Sequence, residues 1–423
     1  MNLKRVLNAV EVSPEPEEIN EIKLAAGNIT GELERAIRKL KIDADIFIGG
    51  SYAKGTLAKK EKHDIDIYVR FGTEYEDLSA HLEKIINKAF GKKRGSKKIH
   101  GSRDYFSVEW SKNIYFEIIP VLRIKHPREG RNVTDLSYFH VNYVKRNLRN
   151  KESAREVILA KTFLRAQRIY GAESYIQGFS GYAVECLIIY FRTFERMLKG
   201  LSGETQRIII DSEKRYKKRE DVLFSINESK LGSPVILVDP TWKERNVLAA
   251  LSRETFEKFR LKAREFLKEP STKFFEPEKM DLNAFGNIAK KEEAELIKIN
   301  LNTKKQAGDI AGTKLKKFSR FMTLEISKYF EVIKDEFLYD GGQKADLYLI
   351  LKNKGEIIKI GPPVDMLDAV EKFRSKNPEA YEQNGYLHSR IKLDGSAGSF
   401  LRKWAVRNKR KIKEMDAKIV KIA

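Results

Sequence analysis

Between Glu15 and Leu40, Ile19, Ile22, Ala26, Ile29 and Leu33 recur at helical spacing behind Ser13-Pro14, which predicts an amphipathic helix. The period then shortens. Ala44–Ile48 is a brief apolar run closed by Gly49-Gly50; it reads as a buried strand, and a short helix is expected from Ser51. Over Asp64–Phe71, Ile65, Ile67 and Val69 alternate with Asp64 and Asp66, so the two acids should share one face of a strand. Leu78, Leu82, Ile85, Ile86 and Phe90 restore helical spacing. A basic loop at Gly91–Lys98 precedes two predicted strands, Asp104–Trp110 and Asn113–Ile124, joined by a Ser111-Lys112 turn. Strands and helices mixed within the first third of the chain suggest a small α/β domain with a mixed sheet.

From Lys151 the pattern turns helical. One helix is predicted over Ala154–Tyr170 with Gly171 as its cap, and a second after Gln177–Gly181, running through Tyr190 to Met197. Val235–Val238 reads as a short strand ended by Asp239-Pro240, and a long helix is expected over Arg245–Leu267, closed by Pro270. The remainder is less regular. It offers strand-like runs at Ala345–Leu351 and Glu356–Ile360, a Gly361-Pro362-Pro363 turn, a helix near Met366–Phe373 and a strand over Tyr386–Leu393. The basic end, Arg402–Lys421, is expected to be helical, with Trp404, Val406, Ile412, Met415 and Ile419 as its apolar stripe.

A chain of 423 residues has room for two or three domains, and a 41% hydrophobic share supports packed cores. Charge sharpens the picture. Lys and Arg number 82 against 60 acids, a net +22. A thermophile's surface accounts for the 34% charged share but not for that one-sided excess, which points to a polyanion, nucleic acid first. The one cysteine, Cys186, lies in the apolar run Ala183–Tyr190; with no second cysteine to form a disulfide or Cys-based zinc site, it suits a reducing compartment. The opening residues lack a signal-peptide segment and no apolar run approaches a membrane span, so a cytoplasmic protein without membrane attachment is expected.

The candidate chemistry sits where the first period change occurs. Gly49-Gly50-Ser51 lets backbone approach a phosphate closely, and Ser51 with the following helix turn offers donors. Paired carboxylates close behind such a turn suit a metal-bound nucleoside triphosphate. Two-ion nucleotidyl transfer is best served by a third acid on a neighbouring strand. Glu117, within the apolar run Tyr115–Pro120, is the first candidate; Glu109 and Asp104 rank behind it.

The Gly-Ser turn followed by an Asp-x-Asp strand resembles the polymerase-β nucleotidyltransferase superfamily. Phe179-Ser180-Gly181-Tyr182, Val238-Asp239-Pro240 with Arg245-Asn246-Val247, and Gly361-Pro362-Pro363 with Ala369-Val370 and Phe373 narrow the resemblance to the archaeal-type (class I) CCA-adding enzymes, tRNA nucleotidyltransferases. It extends from about Glu18 to Leu393. It implies an α+β multidomain protein: a polymerase-β-like head with a mixed sheet at 1–145, a helical neck at 146–275, and an α/β body and tail at 276–423. It also implies one magnesium-dependent site that adds CCA to the 3′ end of tRNA from CTP and ATP without a template. Carried onto this chain, Asp64, Asp66 and Glu117 hold the metal; Gly50, Ser51, Lys54, His140, Lys161 and Tyr170 bind the triphosphate; and Arg245 reads the base edge.

Chemistry alone supports some of these. Lys54 lies about one turn from Ser51 and reaches the same phosphates. Lys161 and Tyr170 would stand on opposite faces of one ideal helix, so the helix must end before Tyr170 if both touch nucleotide. Arg245, expected at a helix N-terminus, is a cation at the unfavourable end of the dipole, which hints at another purpose. Three features depart from the family pattern: Glu117 stands where Asp is usual, Lys54 where Arg is common, and the segment beyond Leu393 does not match. The alternatives are a related RNA nucleotidyltransferase such as a poly(A) polymerase, and a non-catalytic tRNA-binding relative. The sequence leaves open how many of the three nucleotides are added, how C gives way to A, and the oligomeric state, a homodimer included.

Overall fold

Ala44–Ile48 (β1), His63–Phe71 (β2), Ser96–Ile99 (β3), Tyr105–Ser111 (β4) and Ile114–Leu122 (β5) form a sheet in the order β1-β2-β5-β4-β3. Only β2 and β5 pair in parallel, which makes the sheet mixed, as the pattern of elements suggested. One face is covered by helices Pro16–Leu40 and Leu78–Ala89, whose Ile22, Ile29, Leu33, Leu82 and Ile85 pack with Ile65, Ile67, Phe116 and Ile118. The alternation along β2 therefore leaves Asp64 and Asp66 on the uncovered face. Ser96–Ile99 is a lysine-bearing edge strand where a loop was expected.

The computed structural model describes residues 2–91, 94–148, 150–203, 207–277, 280–393 and 395–423; Lys92 and Lys93 of the expected basic loop lie outside these. In chain order the helices up to residue 278 are α1 (Leu3–Ala9), α2 (Pro16–Leu40), α3 (Gly50–Ala53), α4 (Leu78–Ala89), α5 (Ser137–Asn147), α6 (Lys151–Ala166), α7 (Gly181–Phe191), α8 (Phe194–Gly203), α9 (Arg219–Ser225) and α10 (Arg253–Lys268). Strands β6 (Ile208–Ile210) and β7 (Val235–Leu237) pair in parallel. Phe163, Phe194, Phe259, Phe266 and Phe275 centre an aromatic core to which α6, α8 and α10 contribute.

Three helix boundaries differ from expectation. Helix α6 ends at Ala166, not Tyr170: Arg168 takes a left-handed turn (φ 57°), its N–H donates to Arg165 O, and Ile169 N–H reaches back to Leu164 O, a Schellman closure completed by the buried Ile169. The run expected as one helix to Met197 is broken at Arg192 (φ 73°), and Glu156 accepts the Phe194 N–H to start α8. Helix α10 begins at Arg253, capped by the Ser252 side chain, so Arg245 is not helical. Arg245 lies in a turn held by Asn246, whose Oδ1 accepts the Leu237 and Leu248 N–H groups.

Residues 279–423 form a second compact unit. Its elements are α11 (Leu282–Lys291), β8 (Glu295–Asn302), α12 (Asp309–Ser327), β9 (Phe330–Tyr339), β10 (Lys344–Asn353), β11 (Glu356–Pro363), α13 (Leu367–Lys376), β12 (Tyr381–Gln383), β13 (Tyr386–Lys392), α14 (Ala397–Arg407), α15 (Lys409–Glu414) and β14 (Lys418–Ile422). An antiparallel sheet, β14-β8-β10-β9, packs Leu347, Leu349 and Leu351 with Leu315, Phe318 and Trp404. A three-stranded sheet runs β11-β13-β12. Gly361–Pro363 is the end of β11 and not a turn, because an edge strand tolerates proline at a bulge. The basic end is not one helix: it breaks into α14 and α15, and β14 pairs with β8. Among the described residues no helix is long and apolar enough to cross a membrane.

Candidate active site

Parallel pairing of β2 with β5 sets Asp66 opposite Glu117 and Asp64 opposite Tyr115, so Glu117 shares the face of the two aspartates. The turn after β1 closes on this face. Gly49 N–H donates to Asp66 O at 2.9 Å. A Cβ on Gly50 would lie 1.7 Å from Asp66 Oδ2, and Gly50 has φ +59°, so both conformation and space demand glycine. Gly49 is constrained by space alone, with the Tyr68 ring 2.3 Å from where its Cβ would stand.

Of the three acids, only Asp64 has an ion-pair partner among the described residues. Burial, with the charges of Asp66 and Asp64 beside it, pushes Glu117 up to about 8, although Tyr105 donates to it. Burial likewise pushes Asp66 up to about 6, with Lys54 pulling the other way. Asp64 is turned toward Lys60, whose Nζ is 2.7 Å from Oδ2. Among the described residues no three acidic, His or Cys side chains are grouped so that they could hold a metal ion as they stand. The donor set nevertheless suits a hard divalent cation: three carboxylates on adjacent strands, two of them with pKa values raised by burial and by their neighbours' charge, which a bound cation would relieve.

The expected triphosphate cations Lys54 and Lys161 meet on an acid that the sequence pattern did not single out. Glu185 of α7 is fully buried, and its two oxygens accept from Lys54 Nζ at 2.6 Å and Lys161 Nζ at 2.7 Å. Thr56 Oγ1 adds a bond to Glu185 at 2.8 Å and accepts from Lys161 at 2.9 Å. Thr56 N–H in turn donates to Ser51 O, which ties the buried acid to the glycine turn. Burial alone would raise Glu185; the two ammonium groups instead bring it down to about 2.

A second buried acid organises the remaining candidates. Asp239, at the end of β7, takes Arg245 Nη1 at 2.6 Å, Tyr182 Oη at 3.1 Å and the Thr241 N–H and hydroxyl, with His140 Nε2 at 3.3 Å. The His140 ring stacks on Tyr182 at 3.8 Å between centroids. Burial lowers the His140 pKa, favouring the neutral ring. Tyr170, freed from helical phase by the early end of α6, reaches the start of α7. A Cβ on Gly181 would stand 2.7 Å from Tyr170 Oη and 4.0 Å from Lys161 Cε, so Lys161 and Tyr170 converge there. Arg165 lies over the Tyr170 ring, 4.5 Å from its centroid.

Comparison with known proteins decides the family. Residues 31–122 match a family model described as a nucleotidyltransferase domain, and residues 155–276 one described as the second domain of tRNA nucleotidyltransferase. A CCA-adding enzyme of Saccharolobus islandicus is 30% identical over 362 residues, covering 84% of this chain and 82% of that protein. The chain belongs to the CCA-adding enzymes. The Nanoarchaeum equitans CCA-adding enzyme is 40% identical over 214 residues, a match spanning half of this chain and 52% of that relative. The Cid1 poly(U) polymerase, 12% identical with a TM-score of 0.51 over 65% of this chain and 98% of its own, shares the fold.

As a CCA-adding enzyme the chain is a nucleotidyltransferase, and nucleotidyltransferases of this fold use divalent metals. Sequence reasoning missed Glu185, Thr56 and the part played by Asp239. One signal for Glu185 was present, a lone acid inside the apolar run Ala183–Tyr190. Such an acid is kept in a core only when its charge is matched.

Proposed function

We propose that CCA addition, the activity for which the family is named, runs here through one site built on the β2–β5 face. In this reading Asp64, Asp66 and Glu117 hold magnesium. The observation that carries it is the shared face of those three acids, closed by a glycine turn that a single Cβ would block. A bound divalent pair supplies activation of the 3′-hydroxyl of tRNA and charge neutralisation at the α-phosphate. Gly50 and Ser51 bring backbone close to the triphosphate, and Lys54, His140, Lys161 and Tyr170 complete its wall. Arg245 is fixed by Asp239 through one guanidinium nitrogen, which leaves donors for the edge of the incoming base. The new 3′-O–P bond forms as the bond between the α- and β-phosphates breaks and pyrophosphate leaves.

The domains read accordingly as a head at 1–145, a neck at 146–275 and a body and tail at 276–423. The excess of 22 positive charges supports binding of the tRNA backbone, with affinity falling steeply as salt rises. The single buried cysteine suits a cytoplasmic enzyme. The test is purified protein with magnesium and a tRNA transcript ending before CCA, given CTP and ATP singly and together. CTP alone should add C only, ATP alone should add nothing, and the pair should complete CCA. Extension by ATP alone would identify a poly(A) polymerase, and silence with all substrates a non-catalytic relative.

A further inference from the structure

Lys54 and Lys161 differ in what their ammonium groups have left to give. An ammonium has three N–H donors. Lys161 is 1% exposed, and its Nζ faces three acceptors: Glu185 Oε1 at 2.7 Å, Thr56 Oγ1 at 2.9 Å and Thr56 O at 3.4 Å. Its donors are spent inside the protein. Lys54 Nζ has one acceptor among the described residues, Glu185 Oε2 at 2.6 Å, and its side chain retains 10% exposure. Two lysines on one carboxylate leave the cluster with one net positive charge, and the free donors belong to Lys54.

We infer that Glu185 is a positioning residue of the nucleotide site: it fixes Lys54, which supplies two free N–H groups to the triphosphate, while Lys161 braces Glu185 and Thr56 from the other side. This rests on the reading of Lys54 as a triphosphate ligand. The physical need is plain. A lysine stem has four rotatable bonds, so an unanchored ammonium loses rotamer freedom each time nucleotide binds. A charge-assisted bond to a rigid buried carboxylate removes that cost beforehand. The same carboxylate reaches Ser51 through Thr56, so the cation and the turn are set by one group.

The test measures KM for CTP, KM for tRNA, kcat and melting temperature in the full chain for Lys54→Met, Glu185→Gln and their double variant. Lys54→Met removes a charge-assisted hydrogen bond to the triphosphate and should raise the CTP KM on the order of tenfold. Glu185→Gln should give a comparable rise, the double variant should add little to either, and the tRNA KM should hold. A purely structural role would lower the melting temperature and spare the CTP KM. Glu185→Gln strands a buried ammonium, so Lys161→Met combined with Glu185→Gln, which removes one charge of each sign, gives a second variant with a balanced core, and its CTP KM is read against Lys161→Met alone. A folded Glu185 variant with a CTP KM within twofold of wild type, or multiplicative effects in the Lys54→Met/Glu185→Gln double, would overturn the positioning role. If Lys54→Met itself leaves the CTP KM unchanged, the nucleotide reading fails first, and the two failures are told apart.

Discussion

Glu117, half-buried, and Glu185, fully buried, stand beside one glycine turn, and their pKa values shift in opposite directions. Burial raises both. Glu117 stands among acids and is pushed up to about 8; Glu185 stands between two lysines and comes down to about 2. The difference is the supply of positive charge. The chain completes the Glu185 cluster from its own side chains, so that cluster behaves as structure. On the β2–β5 face it brings three acids together, and among the described residues only Asp64 has an ion-pair partner, Lys60. That face is complete only with a cation from outside, which separates scaffold from site.

The largest effect should come from removing an acid from the incomplete face. Asp66→Ala is expected to lower nucleotide addition roughly 10³-fold or more, since a bound metal contributes several kcal/mol to the transition state. Melting temperature in the absence of metal should hold or rise, because one of three mutually repelling acids is gone. The same change in the completed cluster, Glu185→Ala, would strand the buried Lys161 ammonium and lower the melting temperature. Addition and thermal melting, measured together, check both halves; near-normal CMP addition by Asp66→Ala would break the comparison.

Gly50→Ala tests the face without touching charge. The new Cβ would need the space of Asp66 Oδ2, 1.7 Å away, and the φ of +59° would be strained for alanine. The strain costs about 1–2 kcal/mol. The displaced carboxylate should lower kcat further, on the order of 10²-fold, because misplacement by about 1 Å is enough for that. A fall in stability with activity intact would mean that Asp66 need not stand against the turn.

The two clusters were unequally legible in the sequence. Asp64 and Asp66 could be read because a strand has period two and their neighbours are aliphatic; the parallel register then brought Glu117 to them without further assumption. Glu185 could not be assigned a role, since its partners lie 131 and 24 residues away and no local pattern encodes that contact. Helix ends failed where non-glycine residues took left-handed turns, at Arg168 and Arg192, because propensity favours glycine there. Arg245 was placed on a helix for want of the Ser252 cap. The region 282–339 yielded no elements from its pattern, although it holds α11, β8, α12 and β9, and β9 is largely half-buried or exposed, which blurs its period.

Acid should weaken the completed cluster in a defined window. The Glu185 carboxyl titrates at about 2 in the folded chain against an ordinary 4.5, so its stabilisation is fully present above 4.5 and is lost as pH falls toward 2. The shift corresponds to a contribution on the order of 3 kcal/mol. Urea midpoints for wild type and for Lys161→Met/Glu185→Gln should therefore converge between about pH 5 and about pH 2. Parallel curves would mean that the lysines do not hold Glu185 ionised.

The smallest effect belongs to Glu117→Asp, which keeps the charge and shortens the side chain by about 1.5 Å. Strand pairing holds the Cα opposite Asp66, so the shorter carboxylate must be reached by the metal instead of reaching for it. Addition should change by less than about tenfold, because the ligand type is conserved, while the magnesium concentration for half-maximal rate shifts. The readout is that concentration in the CTP addition assay, compared with wild type. An unchanged requirement would move the third ligand off Glu117. Glu109 would then be the acid to examine, since it stands opposite Tyr115 on β4 and shares the face of Asp64.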